Sequence, residues 1–182
     1  MKKLIVTLFL LILPILILFS QSESTGGIIY GDNWACITSA PDGWIMDQES
    51  MAHYGIYALF YEKGKKFGFP TPIIYISPTR LKNNSDDALL EFITVDLDRN
   101  KASGSEITVL NKQFPDFSRY NQAVYFVYNI VNSRRQHEIV MYTRYKEAGF
   151  IIVLNTPDID TLNSLYPRME EVIEKIRFID KN

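Results

Sequence analysis

The chain has one cysteine, Cys36, and two histidines, His53 and His137, among 182 residues. A single thiol excludes an internal disulfide, so stability has to come from packing. Cys36 stands between Ala35 and Ile37 with no basic neighbour in sequence, which fits a buried, inert thiol and not a nucleophile. No H-x3-H, C-x2-C or H-E-x-x-H spacing occurs, so no compact ligand set for zinc is offered. G-x-S-x-G, S-x-x-K, G-x-G-x-x-G and the phosphate-binding loop are missing as well. The stretch GKKFGFP has the lysines and glycines of a phosphate cradle, but neither G-K-[ST] nor a helix start behind it. Charge of one sign is also scarce in blocks. Without a basic stripe to displace counterions, nucleic acid is not an expected partner, and docking on anionic lipid is not favoured.

One acidic stretch imitates a calcium loop. Asp96, Asp98 and Asn100 match its first, third and fifth positions, but Lys101 stands where glycine is required and Ile107 where glutamate is. Glu106 falls one residue short. The segment reads as the end of a helix entering a loop.

What the sequence does have begins at its N-terminus. Lys2 and Lys3 precede an uncharged, largely apolar run from Leu4 to Phe19, and Ser20 and Ser22 take the −3 and −1 places of a cleavage site. This is the layout of a secretory signal peptide over residues 1–22. Its 16 apolar-run residues fall short of the roughly 18–20 that span a bilayer. The expectation is export to the periplasm or outside the cell. An uncleaved anchor holding an accessory protein at the inner membrane is the alternative. The remaining 160 residues carry 17 basic and 21 acidic side chains, a mildly acidic surface on a chain long enough for one domain.

Residues 23–27 read as a polar, flexible leader, and 28–180 as a single domain. A strand is expected over 33–39, where Trp34, Cys36 and Thr38 alternate with Ala35, Ile37 and Ser39. Further strands are expected at 55–64, 73–77, 106–114, 122–130, 137–145 and 150–155. Short linkers join the later ones, which makes the back half an antiparallel meander. Between them, Ser85 caps a helix with Leu89, Phe92, Ile93 and Leu97 on one stripe. A second helix follows Asp158 or Asp160, with Leu162, Leu165, Tyr166, Met169 and Ile176 at helical spacing, and Pro167 should kink or restart it. The class is α+β.

The aromatic load is heavy, with 11 tyrosines, 11 phenylalanines and two tryptophans. Most fall on expected strands, where aromatics suit a half-buried sheet; the alternative is an aromatic-lined groove for a small apolar ligand or a protein partner.

The corner at CITSAPDGWIMD carries a resemblance. Pro41 and Gly43 turn the chain and Trp44 resumes the apolar content. This Pro-x-Gly-Trp corner, with the order of elements over 28–179, resembles the PsbP-like superfamily, which contains extrinsic photosynthetic subunits, a eukaryotic Ran-binding protein and small exported bacterial proteins. The resemblance implies a single antiparallel sheet flanked by helices, and binding or accessory roles without a cofactor. The expected function is therefore an exported, non-enzymatic binding or accessory domain. The alternative is a small secreted hydrolase whose site would be built on Asp47, His53 and Glu62.

Overall fold

The computed structural model describes residues 24–110, 126–132 and 134–181. The signal-like segment 1–22 lies outside these residues, as do parts of the strands expected at 106–114 and 122–130.

Strand β1 (Gly26–Tyr30) and strand β2 (Trp34–Ser39) form an antiparallel hairpin with Ile28 opposite Ile37. β2 is the strand expected at 33–39. β1 was not legible, because it begins at Gly26 inside the segment read as a leader. A Cβ at Gly27 would stand 2.1 Å from Gln48 Oε1, so a side chain there would displace the Gln48 amide, which donates through Nε2 to the Ile28 carbonyl at 3.1 Å.

After the Pro41–Trp44 corner come β3 (Trp44–Asp47), a 3-10 turn (Ala52–Tyr54), β4 (Ala58–Glu62) and β5 (Ile73–Arg80). Helix α1 (Asp86–Ala102) follows, then β6 (Glu106–Val109), β7 (Phe126–Val131), β8 (His137–Tyr145) and β9 (Ala148–Thr156). Helix α2 (Ile159–Lys175) and strand β10 (Arg177–Asp180) complete the described chain. β5 runs past the expected end at 77 and through Pro78. β4 pairs with it only as far as Ile76, so the missing N–H of Pro78 leaves no gap in a ladder.

The strands form two sheets, not the single one expected. Seven lie in the order β3-β4-β5-β9-β8-β7-β6 and three in the order β1-β2-β10, all paired antiparallel. Two physical facts separate them. Pro41 and Gly43 turn the chain out of the small sheet and into the large one. β10 then returns to the small sheet, with Phe178 opposite Cys36. That last strand was hidden because Ile176 continues the helical spacing of α2, so periodicity alone prolongs the helix past its end at Lys175. Within α2 the helix does not restart at Pro167 but runs through it as one element.

Helix α1 covers one face of the large sheet. Ser85 Oγ accepts from Ala88 N at 3.1 Å, and Asp86 and Asp87 occupy the positive end of the helix. Leu89 and Ile93 are buried with Val140, Tyr142 and Val153, and Phe92 and Leu97 pack beside them. Helix α2, capped by Asp158 Oδ1 on Thr161 N at 2.8 Å, covers the opposite face together with the small sheet. There Leu162, Met169, Val172 and Ile173 meet Phe60, Ile152 and Leu154. Strand β4 shows the consequence: Ala58 and Phe60 are buried on one side, Leu59 and Tyr61 on the other. Most described strand aromatics hold these layers together.

Candidate functional site

The corner closes through Trp44 N, which donates to the Pro41 carbonyl at 3.0 Å. Gly43, its third residue, has φ 79°, the left-handed value that a turn of this type needs. Lys63 N then donates to the Gly43 carbonyl at 2.9 Å, beginning the β3–β4 ladder. On the other side, Lys175 Nζ from the last turn of α2 donates to the Ala40 carbonyl at 2.8 Å. Trp44, held between these ties, is 7% exposed and belongs to the core that contains Met46, Phe60 and Met169.

The remaining exposed edge of Trp44 opens on a groove of about 410 Å³. Its walls are Trp44 and Glu62 from the large sheet, Lys65 and Thr71 from the loop after β4, and Leu165 and Arg168 from α2, with Pro70 and Pro72 at the rim. Phe67 and Phe69 on the same loop are exposed, Phe69 by 75%. Arg168 is half-buried and its guanidinium donates to Glu171 at 2.5 Å, which fixes its direction. The volume lies within the range of about 300–1,000 Å³ for sites that hold a ligand or a buried side-chain cluster. Apolar walls with charges of both signs can seat an apolar group and orient a polar one beside it.

The three residues considered for a hydrolytic site are not brought together. Glu62 lies opposite Trp44 in the ladder and shares its face, whereas Asp47 is three residues further along β3 and points to the other face. That spacing alone is about 10 Å at the usual rise of a strand. His53 is exposed in the 3-10 turn, its ring 4.0 Å from that of Tyr54. Neither Asp47 nor His53 is among the residues lining the groove. The Asp47 carboxylate is already engaged: Oδ1 accepts from Glu49 N and Ser50 N at 2.9 Å each, and Oδ2 from Ser50 Oγ at 2.5 Å. Partial burial pushes its pKa up, but these hydrogen bonds outweigh it and hold the carboxyl below its usual value. It works as the brace of the turn after β3.

Other candidates also resolve into structure. Cys36 is fully buried, and burial pushes its thiol up to about 12, far from a reactive thiolate. The imitation calcium loop is the last turns of α1. Asp96 accepts from Tyr142 Oη at 2.6 Å, and Asp98 lies 3.9 Å from Lys101. Among the described residues no three His, Cys, Asp or Glu side chains are grouped as a metal site requires, and no helix is long and apolar enough to cross a membrane.

Glu138, on the α1 face, is a partly buried carboxylate whose Oε1 accepts from Asn132 Nδ2 at 2.8 Å and Asn155 Nδ2 at 2.7 Å. Desolvation raises its pKa despite those bonds, and the nearby Asp96 charge adds to the rise. A carboxyl raised on folding favours the folded state most while it is protonated. That stability is lost as pH rises from the unfolded value through the folded one. Glu138→Gln keeps the acceptor oxygen and removes the ionisation. The variant should therefore gain on the wild type between pH 4 and 7, by about 1.4 kcal/mol for each unit of the difference. Parallel thermal melts at the two pH values check this, and a constant gap between the proteins would refute it.

No known family profile matches the chain, and no curated protein does. Solved structures do. Cyanobacterial PsbP (CyanoP) from Synechocystis superposes with a TM-score of 0.51 at 13% identity, over 88% of this chain and 96% of that one. The Saccharomyces cerevisiae Ran-binding protein Mog1p gives a TM-score of 0.47 at 13% identity, over 85% and 95% of the two chains. The chain thus has the PsbP-like fold that its Pro-x-Gly-Trp corner and order of elements implied, and at this identity the likeness is one of fold.

Proposed function

We propose that this chain is an exported, non-enzymatic binding domain that holds a segment of a protein partner in the groove beside Trp44. The observation that carries the reading is the groove itself, where a buried tryptophan, a leucine and two prolines adjoin Glu62, Lys65 and Arg168. A small apolar molecule would make no use of the charges on Glu62 and Lys65. A peptide segment can place an apolar side chain between Trp44 and Leu165 and a carboxylate toward Lys65 and Arg168. The exposed Phe67 and Phe69 extend the contact beyond the groove, and large aromatics at such positions carry much of the energy of protein interfaces. The run at 4–19, with the serines behind it, supports export.

The test is cross-linking in the source cell, comparing the wild type with Leu165→Asp combined with Arg168→Glu. Both residues are only partly buried, so the fold should survive; an unchanged melting temperature verifies this. A partner recovered with the wild type should be lost from the variant by tenfold or more, and the recovered chain should begin at Glu23. Equal recovery of the same partner by both proteins would rule out the groove.

A further inference from the structure

A second recess lies where the β1–β2 hairpin meets the end of β5 and the β8–β9 turn, away from the groove. Its volume is about 170 Å³, and its walls include the rings of Tyr30, Trp34 and Tyr57 and the side chains of Asp32, Arg80 and Glu147. That is below the usual range for drug-sized ligands and suits a single small group. Three aromatic rings with carboxylates at the rim are the materials of a cation site. The ring faces carry negative charge density, and the carboxylates supply the countercharge.

One feature shows that the recess is built. A Cβ on Gly31 would stand 2.1 Å from the Trp34 ring, so the ring can form this wall only against a glycine. Lys181, which is not part of the lining, has its Nζ 4.9 Å from the centre of the Tyr30 ring and donates to the Gly31 carbonyl at 2.6 Å. The neighbouring ammonium, Lys146 Nζ, is turned to Asp180 at 2.9 Å and the Asn33 carbonyl at 3.3 Å. Arg80 faces Asp32 at 3.8 Å, but both side chains are more than four-fifths exposed and water screens the pair. Two carboxylates against one guanidinium leave the lining with a formal charge of −1, which attracts a cation.

We propose that this recess binds the methylated ammonium group of a small solute. Methyl groups need no hydrogen-bond acceptors, so ring faces satisfy them where a bare ammonium would look for oxygen atoms. The site is independent of the Trp44 groove, and either can fail without the other.

The experiment is calorimetric titration of the full chain with choline chloride and with 3,3-dimethylbutan-1-ol, the uncharged isostere in which carbon replaces nitrogen. Choline should bind about tenfold more tightly, which is ~1.4 kcal/mol. Tyr30 and Tyr57 are 63% and 43% exposed, so Tyr30→Ala and Tyr57→Ala should leave the fold intact and each weaken choline severalfold. Equal affinity for choline and its isostere overturns the proposal, as does an unchanged affinity in both Tyr30→Ala and Tyr57→Ala. Phosphatidylcholine vesicles present the same headgroup; a chain that binds them and ignores free choline overturns the assignment to a small solute.

Discussion

Trp44→Ala is expected to lower the free energy of unfolding by about 3–5 kcal/mol, the cost of truncating a large buried aromatic. Trp44 is 7% exposed and packs into the core shared by the large sheet and α2, so little of its surface is recovered by water when the ring is removed. The surroundings cannot collapse onto the void. On one side the backbone is fixed by the Trp44–Pro41 and Lys63–Gly43 hydrogen bonds, and on the other by Lys175 on the Ala40 carbonyl. Urea denaturation measures the loss. Trp44→Phe, which keeps a ring in the site, should lose less than half as much. A loss under 1 kcal/mol for the alanine variant would mean that the ring belongs to the groove and not to the core. With most domains stable by only about 5–15 kcal/mol, the expected loss is a large share of the total.

The same residue shows how far the sequence could be read. Pro41, Gly43 and Trp44 are local: proline, a left-handed glycine and a tryptophan within four positions announce a corner, and a corner is there. Strand β8 was legible in full, and so was the cap at Ser85, with Asp158 one of two candidates for the second, because periodicity and capping act over a few residues. β1 and β10 were not. Gly26 and Gly27 offer no side-chain pattern, and β10 exists because Arg177–Asp180 finds β2, a partner some 140 positions earlier in the chain. The corner at Pro41 was legible, but that it divides two sheets follows from that long-range pairing. The groove suffered the same fate. Trp44 and Glu62 were both singled out, but for different sites, one structural and one hydrolytic. Only the β3–β4 register sets them opposite each other, and only the packing of α2 adds Leu165 and Arg168. Tyr57 falls within the strand expected at 55–64. It lies one residue before β4 and is exposed, a distinction that alternation alone does not make.

The largest consequence of the second sheet is the cost of separating it from the first. Phe150 on β9 is 1% exposed and stands at the junction. Its ring centre is 5.0 Å from that of Trp34 on β2, at 70°, and 5.0 Å from that of Phe178 on β10, at 53°. Phe178 in turn stacks on Tyr145 of β8 at 4.6 Å. Phe150→Ala should therefore cost about 3–5 kcal/mol from burial and cavity, and each lost ring pair adds about 0.5–1.5 kcal/mol. Helix α2 packs against the small sheet as well, but it is through aromatic rings that the three-stranded sheet meets the large one here. The decisive measurement is a double-mutant cycle with Trp34→Ala. If the two rings support each other, the double variant should lose less than the sum of the single losses, by about 1 kcal/mol, because the first substitution already removes the contact. Strict additivity would mean that the sheets are joined elsewhere. A single loss near zero for Phe150→Ala would mean that the small sheet does not rest on the large one.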